Sequence, residues 1–226
     1  MPKGFYKDPE LKFDLDKMQS ALKDVDSRVA RQSPLGERDI NAICLTQIPN
    51  DPNSITGGNV RGLYWTKPDS TYEEVQREEV IDELQYSEFV KLFEDTYFKE
   101  MYDALTKKYK LGRVRLLWKL PRTTLSWHRD PEPRLHIPIV SNFGARMCID
   151  TEVHHMPADG SVWITDNTKY HNAFNGGEED RVHLVATVLD CDMSISVSYK
   201  HLRAHETASY LLCRRQLEKK NGGGGG

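Results

Sequence analysis

The sequence predicts a mainly β chain with flanking helices, built on a double-stranded β-helix (jelly roll, cupin-like) core. Three observations predict it. Between Gly112 and Ser198 apolar residues recur with a period of two through successive short runs, the side-chain repeat of a strand. Pro, Gly and Asn clusters separate those runs, as between the strands of antiparallel meanders and Greek keys. Seven or eight short strands in that stretch suit a sandwich or jelly roll, and helical spacing occurs only outside it.

The elements follow in order. Residues 1–110 read as mostly helical support with two early strands. The segment Leu15 to Val29 reads as a helix, and NAICLTQI and VRGLYWT as strands on either side of PNDPNSITGGN, a separator rich in turn-forming residues. Thr71 and Glu74 have capping-box spacing ahead of Val75, Val80, Ile81 and Leu84, which predicts a second helix. Phe89, Phe93, Tyr97, Met101 and Leu105 recur four apart and predict a third, packed on a core. The runs RVRLLWKL, RTTLSWH, RLHIPIVS, ARMCIDTEV, GSVWITD, RVHLVATVLD and MSISVSY make residues 111–199 the jelly-roll core. Residues 200–220 return to a helical pattern and close a single domain, 1–220, with 221–226 as a flexible Gly tail.

Composition narrows the function classes. Lys+Arg 31 against Asp+Glu 34 gives a net charge of -3, which removes the blanket electrostatic attraction of non-specific nucleic-acid binders. No run approaches the length of a membrane span. The charged opening segment predicts no secretory signal. Cys44, Cys148, Cys191 and Cys213 form no CxxC pair and predict reduced thiols in the cytoplasm.

All eight histidines lie at or beyond His128. In SWHRDP, His128 and Asp130 are two apart, so on an extended chain both side chains leave one face about 7 Å apart. His171 follows just beyond the run GSVWITD. Two imidazoles and one carboxylate on one face of a metal leave three open positions, the arrangement of non-haem Fe(II) oxygenases. In RVHLVATVL, Val182, Leu184, Ala186 and Val188 share an apolar face while Arg181 and His183 share the other. A buried arginine needs an anion, and its planar fork suits a carboxylate. In RLHIPIV, Arg134 and His136 share a face in the same way and suggest an anion pocket beside the metal.

Taken in order, HRDP, RLHIPI, GSVWITDNTKYHNAFN and RVHLVATVLD resemble the aspartyl/asparaginyl β-hydroxylase family of Fe(II)/2-oxoglutarate-dependent dioxygenases, over roughly residues 112 to 192. The resemblance implies that His128 and His171 ligate iron and that Arg181 binds the distal carboxylate of 2-oxoglutarate. It implies that Arg134 and His136 contact co-substrate or substrate, with O2 as the second co-substrate. The animal enzyme that names the family has glycine where Asp130 stands; Asp130 completes a triad.

Plainer readings stand beside these. His136 also reads as a core histidine bonded to backbone. His183 reads likewise, and otherwise as a residue supporting the site from behind. Arg134 also reads as a partner of Glu132. His154, His155, His201 and His205 read as solvent-facing, Asp166 and Asn167 as shaping the turn before His171, and Trp127 and Trp163 as core or pocket wall. The expected function is an Fe(II)- and 2-oxoglutarate-dependent dioxygenase hydroxylating an unactivated C–H of an amino-acid side chain or related small molecule. The expected partner is a small molecule or a peptide or protein side chain, with no nucleic acid and no membrane. A non-oxygenase jelly-roll metal protein of isomerase or hydrolase type, and an inactive binding module, are the alternatives.

Overall fold

A computed structural model describes residues 4–32, 40–56 and 61–190. In chain order these form β1 (Phe5–Lys12), α1 (Leu15–Arg28), β2 (Ile40–Cys44), β3 (Thr46–Gln47), β4 (Tyr64–Thr66), β5 (Val75–Arg77), β6 (Glu88–Phe89) and α2 (Tyr97–Thr106). They continue as β7 (Leu111–Lys119), β8 (Thr123–Thr124), β9 (His128–Arg129), β10 (Arg134–Val140), β11 (Ala145–Ile149), β12 (Glu152–His154), β13 (Ser161–Thr165), β14 (His171–Asn175) and β15 (Arg181–Val188).

Two antiparallel sheets carry the architecture, ordered β1-β13-β10-β15-β7-β2 and β12-β11-β14-β9-β4-β5, with β8 added on β14. From β9 onward the chain crosses between them: β9, then β10, then β11 and β12, then β13, β14 and β15. That alternation is the jelly roll. Phe5, Met147, Ile149, Met156 and Ala173 fill the space between the sheets at one end, with Leu125 and Trp163 against them.

The centre of the first sheet is buried on both faces: six of the seven residues of β10 and all eight of β15 are buried. One face is apolar: Leu135, Ile137 and Ile139 of β10 and Val114 and Leu116 of β7 have no exposed surface. Each such side chain contributes about 1.5–3 kcal/mol. Helix α1 covers β10, where Gln19 Nε2 donates to the Ile139 carbonyl at 3.1 Å. It buries Met18, Ala21, Leu22 and Val25, the helical spacing expected of one buried stripe. The Asp14 side chain caps α1 by accepting from the Lys17 amide at 3.1 Å. Before β13, Gly160 takes φ 83°, and a Cβ there would sit 2.0 Å from the Phe13 carbonyl oxygen, so only glycine fits.

The structure departs from the sequence expectations in several places. The charged start is an edge strand, β1, paired with β13. No helix spans residues 71–84: Tyr72 and Glu78 have φ 56° and 62°, which a right-handed helix excludes. The segment instead forms β5 and a 3-10 turn at Glu83–Gln85. Glu74 accepts from Arg129 and from the Tyr170 hydroxyl rather than capping a helix. The stripe from Phe89 to Leu105 faces the core, but Phe89 lies in β6, paired with Thr46. The chain turns at Lys91–Phe93, and the α-helix begins only at Tyr97. The run after His171 is itself a strand, β14. The expected strand MSISVSY, the helix of 200–220 and the Gly tail lie outside the described residues. Among the described residues Cys44 and Cys148 are unpaired thiols, and no helix is long and apolar enough to cross a membrane.

Candidate metal centre

Sheet pairing explains why residues distant in sequence meet. His128 on β9 and His171 on β14 are cross-strand partners, and such partners have Cβ atoms about 5 Å apart. Their ring centroids are 4.2 Å apart. Just past β9, Asp130 is held by its amide, which donates to the Asn167 carbonyl at 2.8 Å. Its carboxylate oxygens lie 4.0 Å from His128 Nε2 and 4.0 Å from His171 Nε2. One ligand atom from each of the three falls within 4.8 Å of the others.

Backbone carbonyls orient the imidazoles. His128 Nδ1 is 2.6 Å from the Ser126 carbonyl and His171 Nδ1 is 3.0 Å from the Lys169 carbonyl. A carbonyl only accepts, so each Nδ1 donates and each Nε2 is left with a lone pair toward the centre. Burial pushes the His171 pKa down to about 4, keeping that ring neutral. Burial pushes the Asp130 carboxyl up, but Arg134, then His171 and His128, outweigh it and hold it below its ordinary value. Two imidazole nitrogens and a carboxylate oxygen form a donor set suited to a non-haem Fe(II) ion with open positions.

Asn167 does more than shape a turn. Its amide nitrogen donates to His171 Nε2 at 2.9 Å and to Asp130 Oδ2 at 3.3 Å, two atoms a metal would take. The Thr165 hydroxyl donates to the Asn167 Oδ1 at 2.6 Å and fixes the amide. An Asn four residues before a ligand histidine carries no distinctive sequence signal.

Arg134 is inward and buried. Its Nε is 3.3 Å from Asp130 Oδ2 and its Nη1 is 3.2 Å from Glu132 Oε2. The pairing with Glu132 weighed as the plain alternative is therefore present, and Arg134 also grips the triad's carboxylate. His136 is buried with neither ring nitrogen bonded to protein among the described residues, so the backbone described does not hold it as a core histidine. Burial first, then Arg181, keeps its pKa well below the ordinary value. Arg181 is 7% exposed and has no ion pair among the described residues. It donates to His183 Nδ1 at 2.8 Å, and burial alone lowers its pKa to about 10. His183 thus stands behind Arg181, with its Nε2 unpartnered.

One cavity of about 140 Å³ is lined by His128, Asp130, His171, Arg134, His136 and Arg181. The orphaned nitrogens of His136 and a buried guanidinium without a carboxylate fit a dicarboxylate in the same space. Three further cations on the inner face of β7, Arg113, Arg115 and Lys119, also line it. They were legible as the alternation in RVRLLWK, though only its strand character is read from sequence above. Trp127 is 42% exposed and stacks on Tyr170, so it is neither core nor inner wall; Trp163 packs between the sheets. His155 Nδ1 bonds the Ala145 carbonyl at 3.0 Å, and His154 stacks on Phe5; His201 and His205 lie outside the described residues.

Residues 87–190 match the sequence model of the family described as Aspartyl/Asparaginyl beta-hydroxylase. No curated protein sequence matches the chain. Among solved structures, the chain is similar to a 2OG-Fe(II) oxygenase family oxidoreductase from Burkholderia pseudomallei, at 13% identity and TM-score 0.47, covering 82% of this chain and 84% of that one. It is also similar to a Pseudomonas putida prolyl-4-hydroxylase, at 10% identity and TM-score 0.45, covering 84% and 94%. These structural likenesses are too distant to assign roles. The matched segment runs from β6 through β15 and holds His128, Asp130, His171 and Arg181, so this part of the chain is similar to that family.

Proposed function

We propose that the chain hydroxylates an unactivated C–H bond of a small molecule or of a peptide or protein side chain, with His128, Asp130 and His171 holding Fe(II) and Arg181 holding the far carboxylate of 2-oxoglutarate. One observation carries the reading. A three-donor cluster shares a cavity with a buried arginine that has no carboxylate partner among the described residues. A jelly-roll isomerase or hydrolase needs the first feature and has no use for the second.

Fe(II) and 2-oxoglutarate, when bound, supply the oxidation: O2 is consumed, the co-substrate loses CO2 to become succinate, and one oxygen atom enters the substrate C–H bond. The chain's residues prepare the place. The Ser126 and Lys169 carbonyls keep Nε2 of each imidazole available. Arg134 keeps Asp130 ionised and immobile. Arg181, braced by His183, fixes the length and direction of the dicarboxylate, and His136 offers its unbonded nitrogens to the same molecule. Enclosure between the sheets keeps bulk water from the reacting atoms.

Anaerobic calorimetry with Mn(II) and 2-oxoglutarate tests this. His171→Ala or Asp130→Ala is expected to abolish metal binding. Arg181→Met is expected to keep it and to weaken 2-oxoglutarate by about 10–100-fold, the range for losing a charged hydrogen bond. Equal 2-oxoglutarate affinity in wild type and Arg181→Met would remove the co-substrate assignment.

A further inference from the structure

The ladder that brings the two imidazoles of the triad together is short. Strand β9 holds only His128 and Arg129, and among the described residues its pairing with β14 is the single match of His128 with His171. So brief a ladder does little to hold the spacing of two donors.

A second connection crosses the same strands on their outer side. Neighbouring residues of an extended chain point to opposite faces. Arg129 lies between His128 and Asp130, and Tyr170 directly precedes His171, so each emerges on the side away from the donors. Glu74, just before β5, joins them. Its Oε2 accepts from Arg129 Nε at 2.7 Å and from the Tyr170 hydroxyl at 2.9 Å, and its Oε1 accepts from Arg129 Nη2 at 2.5 Å. The paired bonds to the guanidinium fix direction as well as distance. Both arms are steadied by further neighbours. The Arg129 guanidinium lies 4.0 Å from the ring centroid of Trp65, its cross-strand partner on β4. Lys67 Nζ is 5.1 Å from the centre of the Tyr170 ring, on which Trp127 stacks at 6.3 Å.

The Arg129 and Glu74 side chains are 29% and 35% exposed, and ion pairs that open to water contribute little to stability. The attachment points are what set this pair apart. One arm is a single residue from both His128 and Asp130, the other a single residue from His171, so a shift of either arm shifts a donor.

Resting on the metal-binding reading proposed above, we infer that Glu74 is a positioning residue for the triad: its carboxylate ties Arg129 to Tyr170 and so sets the separation of His128 and Asp130 from His171. Glu74 touches neither metal nor substrate. Its loss falls on metal affinity rather than on the fold. Groups that orient metal ligands from outside contribute about 10–100-fold to affinity; Glu74, acting through neighbouring residues, belongs at the low end.

The test titrates Mn(II) into the whole chain by calorimetry and records the visible bands of the Co(II)-loaded chain, which report ligand geometry. Glu74→Ala is expected to weaken Mn(II) about tenfold and to shift the Co(II) bands, with the urea midpoint unchanged. Tyr170→Phe alters no charge and is expected to weaken Mn(II) about threefold, as for one lost hydrogen bond. Added to Glu74→Ala, it should cost nothing further, since the two act as one unit. Wild-type affinity and bands in both variants would overturn the inference. So would a loss matched by a lower urea midpoint, which would make the network a support of the fold alone. A loss confined to Glu74→Ala and erased at high salt would be plain charge attraction, and overturns it too. These failures leave the metal-binding reading standing. If wild type itself binds no Mn(II), that reading fails, and this inference fails with it.

Discussion

In its proposed role Arg181 sets co-substrate binding against stability, and Arg181→Met makes the opposition measurable. Methionine removes the charge and keeps most of the chain length. A guanidinium whose pKa burial lowers to about 10 is disfavoured in the fold by about 3 kcal/mol, at about 1.4 kcal/mol per tenfold. The sign follows from the direction: the folded pKa is depressed, so the penalty is fully present below it, at every working pH. The bond to His183 at 2.8 Å offsets about 1 kcal/mol. Ligand-free Arg181→Met should therefore be about 2 kcal/mol more stable than wild type, or about 4–8 °C in Tm for a chain of this size. With Mn(II) and 2-oxoglutarate each at one hundred times its wild-type Kd, wild type should gain about 2.7 kcal/mol from each, while the variant should gain as much from the metal and only about 0.4–1.4 kcal/mol from 2-oxoglutarate. Thermal and urea unfolding, with and without both ligands, read these quantities. A variant that unfolds more easily without ligand and still gains fully from 2-oxoglutarate would refute the argument.

Other perturbations reach other parts of the structure. Glu83→Gln leaves Arg113, whose side chain is 2% exposed, without its carboxylate; urea unfolding should show a loss of about 3–5 kcal/mol, largely recovered in the double variant Glu83→Leu, Arg113→Met. Burial pushes the Glu83 carboxyl up, but Arg113 outweighs it and holds the pKa at about 2 against 4.5. Its stabilisation is complete above the unfolded value and fades as pH falls from about 5 toward 2, a slope that Glu83→Gln should reduce. The Asn167 amide competes with metal for His171 Nε2 and Asp130 Oδ2, so Asn167→Ala should tighten Mn(II) binding by about 5–10-fold, the value of one hydrogen bond; weaker binding by calorimetry would show that the amide instead organises the site. Gly160→Ala forces a Cβ to 2.0 Å from the Phe13 carbonyl oxygen at φ 83° and should destabilise by about 2 kcal/mol or more, read as a lower urea midpoint.

The site was legible where alternation and chemistry coincide. RLHIPIV and RVHLVATV each place polar groups on one face and branched apolar ones on the other. Both became central strands, β10 and β15, with the polar face turned into the cavity. His128 and His171 met because β9 and β14 pair, which follows once the strands are ordered as a jelly roll. Residues 71–84 misled because a capping-box pattern is local, whereas Arg129 and Tyr170 arrive from distant strands to claim Glu74. The strand β1 was illegible for a similar reason: its charged residues line an edge, and only β13 beside it makes it a strand. The Glu83–Arg113 pair joins a 3-10 turn to β7 across thirty positions and leaves no periodic trace.

Because β10 and β15 are covered on both sides, assembly of the pocket and completion of the core are a single event. Irregularities between Pro138 and Val140 and between Ala186 and Val188 pin the alignment of β15 with its neighbours. A slip of one position along β15 would turn Arg181 and His183 under α1 and drive Val182 and Leu184 into the cavity that Arg181 lines. Inserting one residue within β15 should thus erase folding and ligand capture together, leaving no well-folded but inert form.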